Sequence, residues 1–312
     1  MLLIPMAFSI YAQDLRTLET KVADLLALMP AKDPSTTEKL MNDMLALGDT
    51  GLKLICNKIV PPGTGDDVQP RFAVESFSRF LSGKGKDNEK AAWEKICISY
   101  VKSAKDNNVK YFFLKQLQTM GGIASAEAAK ELLKDGSLCS PAIGVIVSAG
   151  GENAERILSE ALEDTTFPCA AQAMNEVAAL KSDLALPQFI LWSQSKELTV
   201  RAAALKALAQ SGSPEALKIL QKAAKEVKYS WEYSGATSAY LTYADRIAEK
   251  GDIKGMTKIC NTIISNCNQK TNIQFKAGAL ETIVKYKGKD AMPYLIEAAR
   301  HTDKSYRNTA MR

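Results

Sequence analysis

A chain built from short helices must stop and restart each one, and residues 183–227 carry those signals in full. The stretch DLALPQFILWSQSKELTVRAAALKALAQSGSPEALKILQKAAKEV reads as helix, tight turn, helix, tight turn, helix. From Val200 to Leu208 the residues Val200, Ala203, Ala204, Ala207 and Leu208 fall on one helical stripe, with Lys206 and Gln210 opposite and Arg201 at its edge. In the next segment Ala216, Leu217, Leu220, Ala223, Ala224 and Val227 share a face. Between the two, Gly212 supplies a stop, Ser213 an N-cap, Pro214 the first helical position and Glu215 an early acid. The many alanines let helix axes approach closely, as stacked hairpins require.

The same pattern returns at fixed register. Residues 185–206 align without gaps on 291–312, pairing Pro187 with Pro293, Ile190 with Ile296, Arg201 with Arg307 and Ala204 with Ala310. Residues 200–224 also align on 275–299, pairing Arg201 with Lys276, Leu205 with Leu280 and Leu220 with Leu295. A weaker copy begins at Ala154 and places Ala173, Met174 and Val177 where Ala204, Leu205 and Leu208 stand. Self-similarity of this kind marks a helical array. A Pro early in the first helix, an acid in the turn (Glu197, Asp303) and V/Y-R-x-x-A opening the second helix resemble the HEAT repeat. The resemblance implies an α/α superhelical solenoid of antiparallel helix pairs, in which the Arg and the acid form a structural ladder between repeats. Glu197 to Arg201 and Asp303 to Arg307 are each four apart, a spacing that favours an ion pair along the second helix.

Composition agrees with an all-α class. Hydrophobic residues make up 46% and charged residues 24%, and no segment alternates as a half-buried strand does. The net charge of +5 comes from interspersed Lys, Glu and Asp rather than a dense basic cluster, so nucleic acid is not an expected partner. A DNA-binding HEAT-like solenoid or glycosylase is the alternative that would need a basic concave stripe.

Residues 1–12, MLLIPMAFSIYA, are apolar or small and precede an abrupt polar change, as at the end of a secretory signal. The run is too short to span a bilayer, and the expected location is periplasmic or secreted. A buried N-terminal helix is the alternative. Residues 13–120 read as less regular helical repeats, with aromatic stripes at core spacing: Phe72, Phe77 and Phe80, then Trp93 and Tyr100, then Tyr111 and Phe112. PPGTGDD at 61–67 has no Gly-Lys-Ser/Thr and reads as a turn, not a phosphate loop. Residues 121–312 read as the regular HEAT-like repeats, ending inside a second helix as if more chain follows.

Between Val227 and Asp252 the register is interrupted, and the pair that follows looks like a tetratricopeptide hairpin. Tyr229, Trp231, Tyr233, Tyr240 and Tyr243 crowd there. Tyr229, Trp231 and Tyr233 form a candidate platform for a sugar or a protein partner; the alternative is that the rings bridge two unlike repeats.

Chemistry is sparse. His301 is the only histidine and falls in a predicted solvent-facing turn, so a Ser-His-Asp or Cys-His site would have to use it. No zinc spacing exists; no metal, no cofactor and no catalytic residue is expected. Cys56 and Cys97 read as core residues, and Cys260 and Cys267 stand seven apart on one helix, about 10 Å, too far to bridge. Cys139 and Cys169, one repeat apart, can approach; mostly free, buried thiols are expected. The chain also resembles the helical N-terminal region of exported bacterial proteins with 3-keto-disaccharide hydrolase-type domains. That implies a non-catalytic scaffold whose partner is a protein or a downstream domain of the same chain. An α/α-toroid enzyme acting on carbohydrate is the other alternative.

Overall fold

The computed structural model describes residues 15–180 and 184–311. The stretch 1–12, read above as a signal remnant, lies outside the described residues. Every regular element among the described residues is a helix, and the chain divides into two compact units after Ser125.

The first unit contains α1 (Leu18–Ala27), α2 (Pro34–Ala46), α3 (Gly48–Cys56), α4 (Val68–Leu81), α5 (Asp87–Ser103) and α6 (Asn107–Met120). Local chemistry sets several starts: the side chains of Thr17, Asp33 and Asp106 accept hydrogen bonds from first-turn amides of α1, α2 and α6. GDTG at 48–51 opens α3, which is entered through Gly48 at φ +62°. The core gathers Val74, Phe77 and Leu81 of α4 against Trp93 and Cys97 of α5 and Phe113, Leu114 and Leu117 of α6. Trp93 meets Phe77 edge-on at 5.1 Å and donates its indole N–H to Ser78 Oγ at 3.0 Å, so the one polar atom of a buried ring is satisfied. Tyr111, expected on the apolar face of α6, is instead exposed, and Phe113 takes its place inside.

The division falls within α7 (Ile123–Lys130), and the second unit continues through α8 (Cys139–Ala149), α9 (Gly151–Ala161), α10 (Ala170–Ala179) and α11 (Leu186–Trp192). There follow α12 (Leu198–Ser211), α13 (Pro214–Glu226), α14 (Ala236–Glu249), α15 (Ile253–Asn266), α16 (Ile273–Lys287), α17 (Met292–Ala299) and α18 (Lys304–Ala310). Two layers result. Helices α8, α10, α12, α14, α16 and α18 pack successively on one another as an inner layer. The odd-numbered helices α9 to α17 lie against them, giving a solenoid of helix pairs.

The two layers differ in how many sides each helix buries. In α13 the buried residues Ala216, Leu220 and Ala224 form a single file at i, i+4, and the lysines face water. In α12 they are Val200, Ala203, Ala204, Leu205, Ala207, Leu208 and Ala209, nearly all round the helix. The one-sided stripe expected for α12 is therefore incomplete: Leu205 and Ala209 are inside too, because α12 packs on α10, α11, α13 and α14.

Directional bonds fix the stacking. Gly212 ends α12 at φ +60°, and a Cβ there would stand 2.8 Å from Arg246 Cγ. Arg246 Nε donates to Gln210 O at 3.0 Å and Lys250 Nζ to Ser211 O at 2.6 Å, so a cation of α14 and the residue that caps it satisfy the last carbonyls of α12. Trp192 of α11 donates to Leu162 O, just past α9, at 2.8 Å. The interruption expected after Val227 does not break the alternation, since α14 follows α12 in the inner layer like any other member. Cys139, at the start of α8, and Cys169, the N-cap of α10, are joined by a disulfide with Cα atoms 6.0 Å apart. Cys56, Cys97, Cys260 and Cys267 are free and buried.

Leu208→Ala, in the doubly packed α12, is expected to lower unfolding free energy by about 2–5 kcal/mol. Leu191→Ala, on the exposed side of α11, should stay within about 0.5 kcal/mol. Urea titration of each variant measures both.

Candidate functional site

The loop from Lys228 to Gly235 is held from both ends. Lys228 and Tyr229 both lie in the left-handed region, at φ 53° and 54°, a conformation that costs a non-glycine residue about 1 kcal/mol. They close α13, with Lys228 N–H donating to Lys225 O and Tyr229 N–H to Ala224 O, each at 2.9 Å. This turn carries the Tyr229 ring inward, leaving it 7% exposed, with its carbonyl accepting from the Cys267 thiol. Tyr229 is thus a packing residue and not part of any surface platform.

Beyond Tyr229 the backbone is tied twice more. Thr237 Oγ1 donates to Ser230 O at 3.0 Å. Glu232 accepts from Ser234 N–H at 2.7 Å, Ser234 Oγ at 2.5 Å and Ala236 N–H at 3.1 Å. Trp231 and Tyr233 sit between these ties and have nowhere to point but outward. They are 61% and 77% exposed, and their rings meet edge-to-face with centroids 5.2 Å apart. Two large rings held in water on a pinned backbone form the exposed aromatic feature of this unit.

The Glu232 carboxylate is the electrostatic anchor of the loop. Burial pushes it up, but the hydrogen bonds from Ser234 and Ala236, with the charge of Arg201, outweigh that and hold it below the ordinary glutamate value of 4.5. Beside the loop lies a cleft of about 330 Å³, lined by Gln194 just past α11, Arg201 and Leu205 of α12, Lys218, Lys222 and Glu226 of α13, and Ser234. Arg201 does not pair with Glu197 across one turn. Glu197 Oε1 accepts from Thr199 Oγ1 at 2.6 Å, and Arg201 Nε is buried with no hydrogen-bond partner. A buried unpaired donor costs about 1–3 kcal/mol, more when charged.

The second expected ion pair is also unmade. Asp303 caps α18 by accepting from Tyr306 N–H, while Arg307 Nη1 donates to His301 O and Thr302 O at 2.8 Å each. His301 is not a free solvent-facing ring: its Nδ1 accepts from Asp303 N–H, its Nε2 lies 3.3 Å from Lys276 Nζ, and it packs edge-on against Tyr306. Burial pushes the Lys276 ammonium down. No nucleophile is placed against His301 by these contacts. Tyr240 and Tyr243, counted with the aromatic crowd, are buried in α14 and floor a second cavity of about 430 Å³ between α13 and α15. Burial, with the neighbouring Tyr229, pushes the Tyr240 phenol up to about 12. Neither cavity was visible in the sequence, since each depends on the gap between successive odd-numbered helices.

Because the Glu232 value is lowered, its contribution to loop order is present above the unfolded-state value and is lost as pH falls through the folded one. Protection of the Ser234 and Ala236 amides, taken relative to intrinsic exchange at each pH, should therefore be high near neutral pH and fall on acidification. Glu232→Gln, with one acceptor oxygen in place of two, should show low protection at both. Amide exchange followed by NMR tests this.

Comparison with known proteins gives a local match and a global one. The PBS lyase HEAT-like repeat matches residues 200–226, which span most of α12 and α13. Receptor-type tyrosine-protein phosphatase eta of Mus musculus is 36% identical over 69 residues, covering 22% of this chain and 6% of that protein. The crystal structure of a Kap121p mutant is similar in fold, with a TM-score of 0.56 at 12% identity, over 96% of this chain and 38% of that one. The chain therefore spans well under two thirds of the length of either. The repeat match shows one HEAT-like repeat at residues 200–226, and the likeness to the solved structure shows a helical solenoid fold.

Proposed function

We propose that the protein is a non-catalytic interaction module whose second unit offers the pinned Trp231–Tyr233 pair to a protein partner. The observation that carries this is the exposure of two large rings on a backbone with little freedom left to lose. Aromatic side chains of this kind supply contact area at low entropic cost, and they are enriched where proteins meet. The repeat architecture supports the reading, because a stacked array spreads side chains over a long face. The same pair could equally take the flat face of a sugar, and a downstream domain of the same chain is a further form the partner can take.

A narrower reading places the chain in an exported carbohydrate-processing protein of the 3-keto-disaccharide hydrolase type, with the chemistry on other residues. It rests on the sequence resemblance, on the apolar stretch 1–12 and on the Cys139–Cys169 bridge, since such bonds persist in oxidising compartments. Alkylating thiols at the moment of cell lysis is expected to leave Cys139 and Cys169 unlabelled. Labelling of both would remove the export reading.

For the interaction surface, Trp231→Ala/Tyr233→Ala is expected to leave the thermal midpoint unchanged, because both rings are solvent-exposed. The same variant should lose proteins that wild type captures by in-cell cross-linking. Undiminished capture of the same proteins would sink the proposal.

A further inference from the structure

We infer that the cleft lined by Arg201 is a carboxylate-binding site, and that it takes an acidic segment of a protein partner. This inference rests on the interaction reading above and names the chemistry of the partner.

The argument starts from one repeat position occupied three times, by Arg201, Lys276 and Arg307. At the last two the cation has partners. Lys276 Nζ donates to Asn268 Oδ1 at 2.8 Å and lies 3.3 Å from His301 Nε2. Arg307 donates to two carbonyls of the turn that precedes its helix. At Arg201 the arrangement is otherwise. The acid one turn before it is engaged with Thr199, and its own Nε is buried without a hydrogen-bond partner. Arg201 lines the cleft with its Nε unsatisfied, and only the longer-range charge of Glu232 stands opposite it, which leaves room for an outside acceptor.

The surroundings favour an anion. Lys218 and Lys222 of α13 add two exposed ammonium groups to the wall. One acid, Glu226, also lines the cleft and lies 3.9 Å from Lys222, while Glu232 has both oxygens occupied by Ser234 and Ala236. Neither is within ion-pair distance of Arg201. With Nε buried, the two Nη groups of a guanidinium can donate side by side to the two oxygens of one carboxylate. The loop that supplies Ser234 to the wall also carries Trp231 and Tyr233. Neither ring lines the cleft, so an acidic peptide held there meets the loop that carries them and not the rings themselves.

The test uses the full chain and two blocked synthetic peptides, a Glu-Gly repeat and its Gln-Gly counterpart, titrated by calorimetry. The Glu peptide is expected to bind, with affinity falling as salt rises, and the Gln peptide is not. Arg201→Gln should weaken the Glu peptide about tenfold or more, and Arg201→Lys nearly as much, because the planar fork is lost. Should the Arg201 variants unfold, Lys218→Gln/Lys222→Gln tests the same cleft with exposed residues and should weaken binding several-fold. Lys254→Gln/Lys258→Gln, on the exposed side of α15, should change nothing. Equal binding of the Gln peptide, equal loss in the α15 variant, or displacement by inorganic sulfate at matched ionic strength would overturn the assignment. Failure of the acidic peptide alone, with the Trp231/Tyr233 variant still losing its partners, removes the carboxylate site and leaves the interaction surface. The reverse pattern removes the aromatic surface and leaves the carboxylate site.

Discussion

The structure of the second unit depends on helices that are apolar on more than one side. A short amphipathic helix buries one stripe and is marginal alone. An inner helix such as α12, closed on both flanks by α10 and α14 and from outside by α11 and α13, is stable only as a member of a stack. Each Leu or Ile removed from water there contributes about 1.5–3 kcal/mol, and little of that is available to an isolated repeat. Alanine at 203, 204, 207 and 209 is what allows the neighbours to come close enough on every side. The outer helices have no such requirement, so their exposed faces can vary in chemistry without loss of the fold.

That division of labour positions the candidate surface. The last turn of α12 is locked to α14 by Arg246 and Lys250, so the two ends of the α13 excursion are fixed relative to each other. The loop from 228 to 235 must then return the chain from the outer layer to the inner one. It does so through two consecutive left-handed residues, which turn Tyr229 into the core and leave Trp231 and Tyr233 outside. The backbone strain at Lys228 and Tyr229 is offset by the burial of Tyr229 and the bonds to Ala224, Cys267 and Thr237. A rigid aromatic pair is a consequence of that return path.

What could be read from residues alone follows from which interactions are local. The stop at Gly212 and restart at Ser213-Pro214 depend on neighbours in sequence, and they stand where the pattern put them. The repeat register, hence the helix pairs, is also periodic and therefore legible. The second buried side of α12 is not, because Leu205 and Ala209 are covered by helices from adjacent repeats. The position of Tyr229 escaped for another reason: two non-glycine residues with positive φ reverse the direction in which successive side chains point, and nothing in Lys-Tyr announces that conformation. The disulfide was visible as a distance of one repeat, but its formation depends on the first turns of α8 and α10 lying side by side.

The i, i+4 spacing of acid and arginine was the most specific pattern in the repeats, and side-chain geometry uses it differently at each occurrence. Four-residue spacing makes an ion pair available along a helix; it does not compel one when the acid stands at the N-cap. There Asp303 gains more from the free amides of the first turn, and Glu197, also at the cap, takes the hydroxyl of Thr199. The basic residue is then released to find acceptors elsewhere. Arg307 and Lys276 find them in turns of their own unit. Arg201 feels the charge of Glu232, a carboxylate already committed to holding its own loop. The order of the loop that carries Trp231 and Tyr233 and the unsatisfied Nε of Arg201 thus have a common origin, because Glu232 bonds forward to Ser234 and Ala236 instead of across to Arg201.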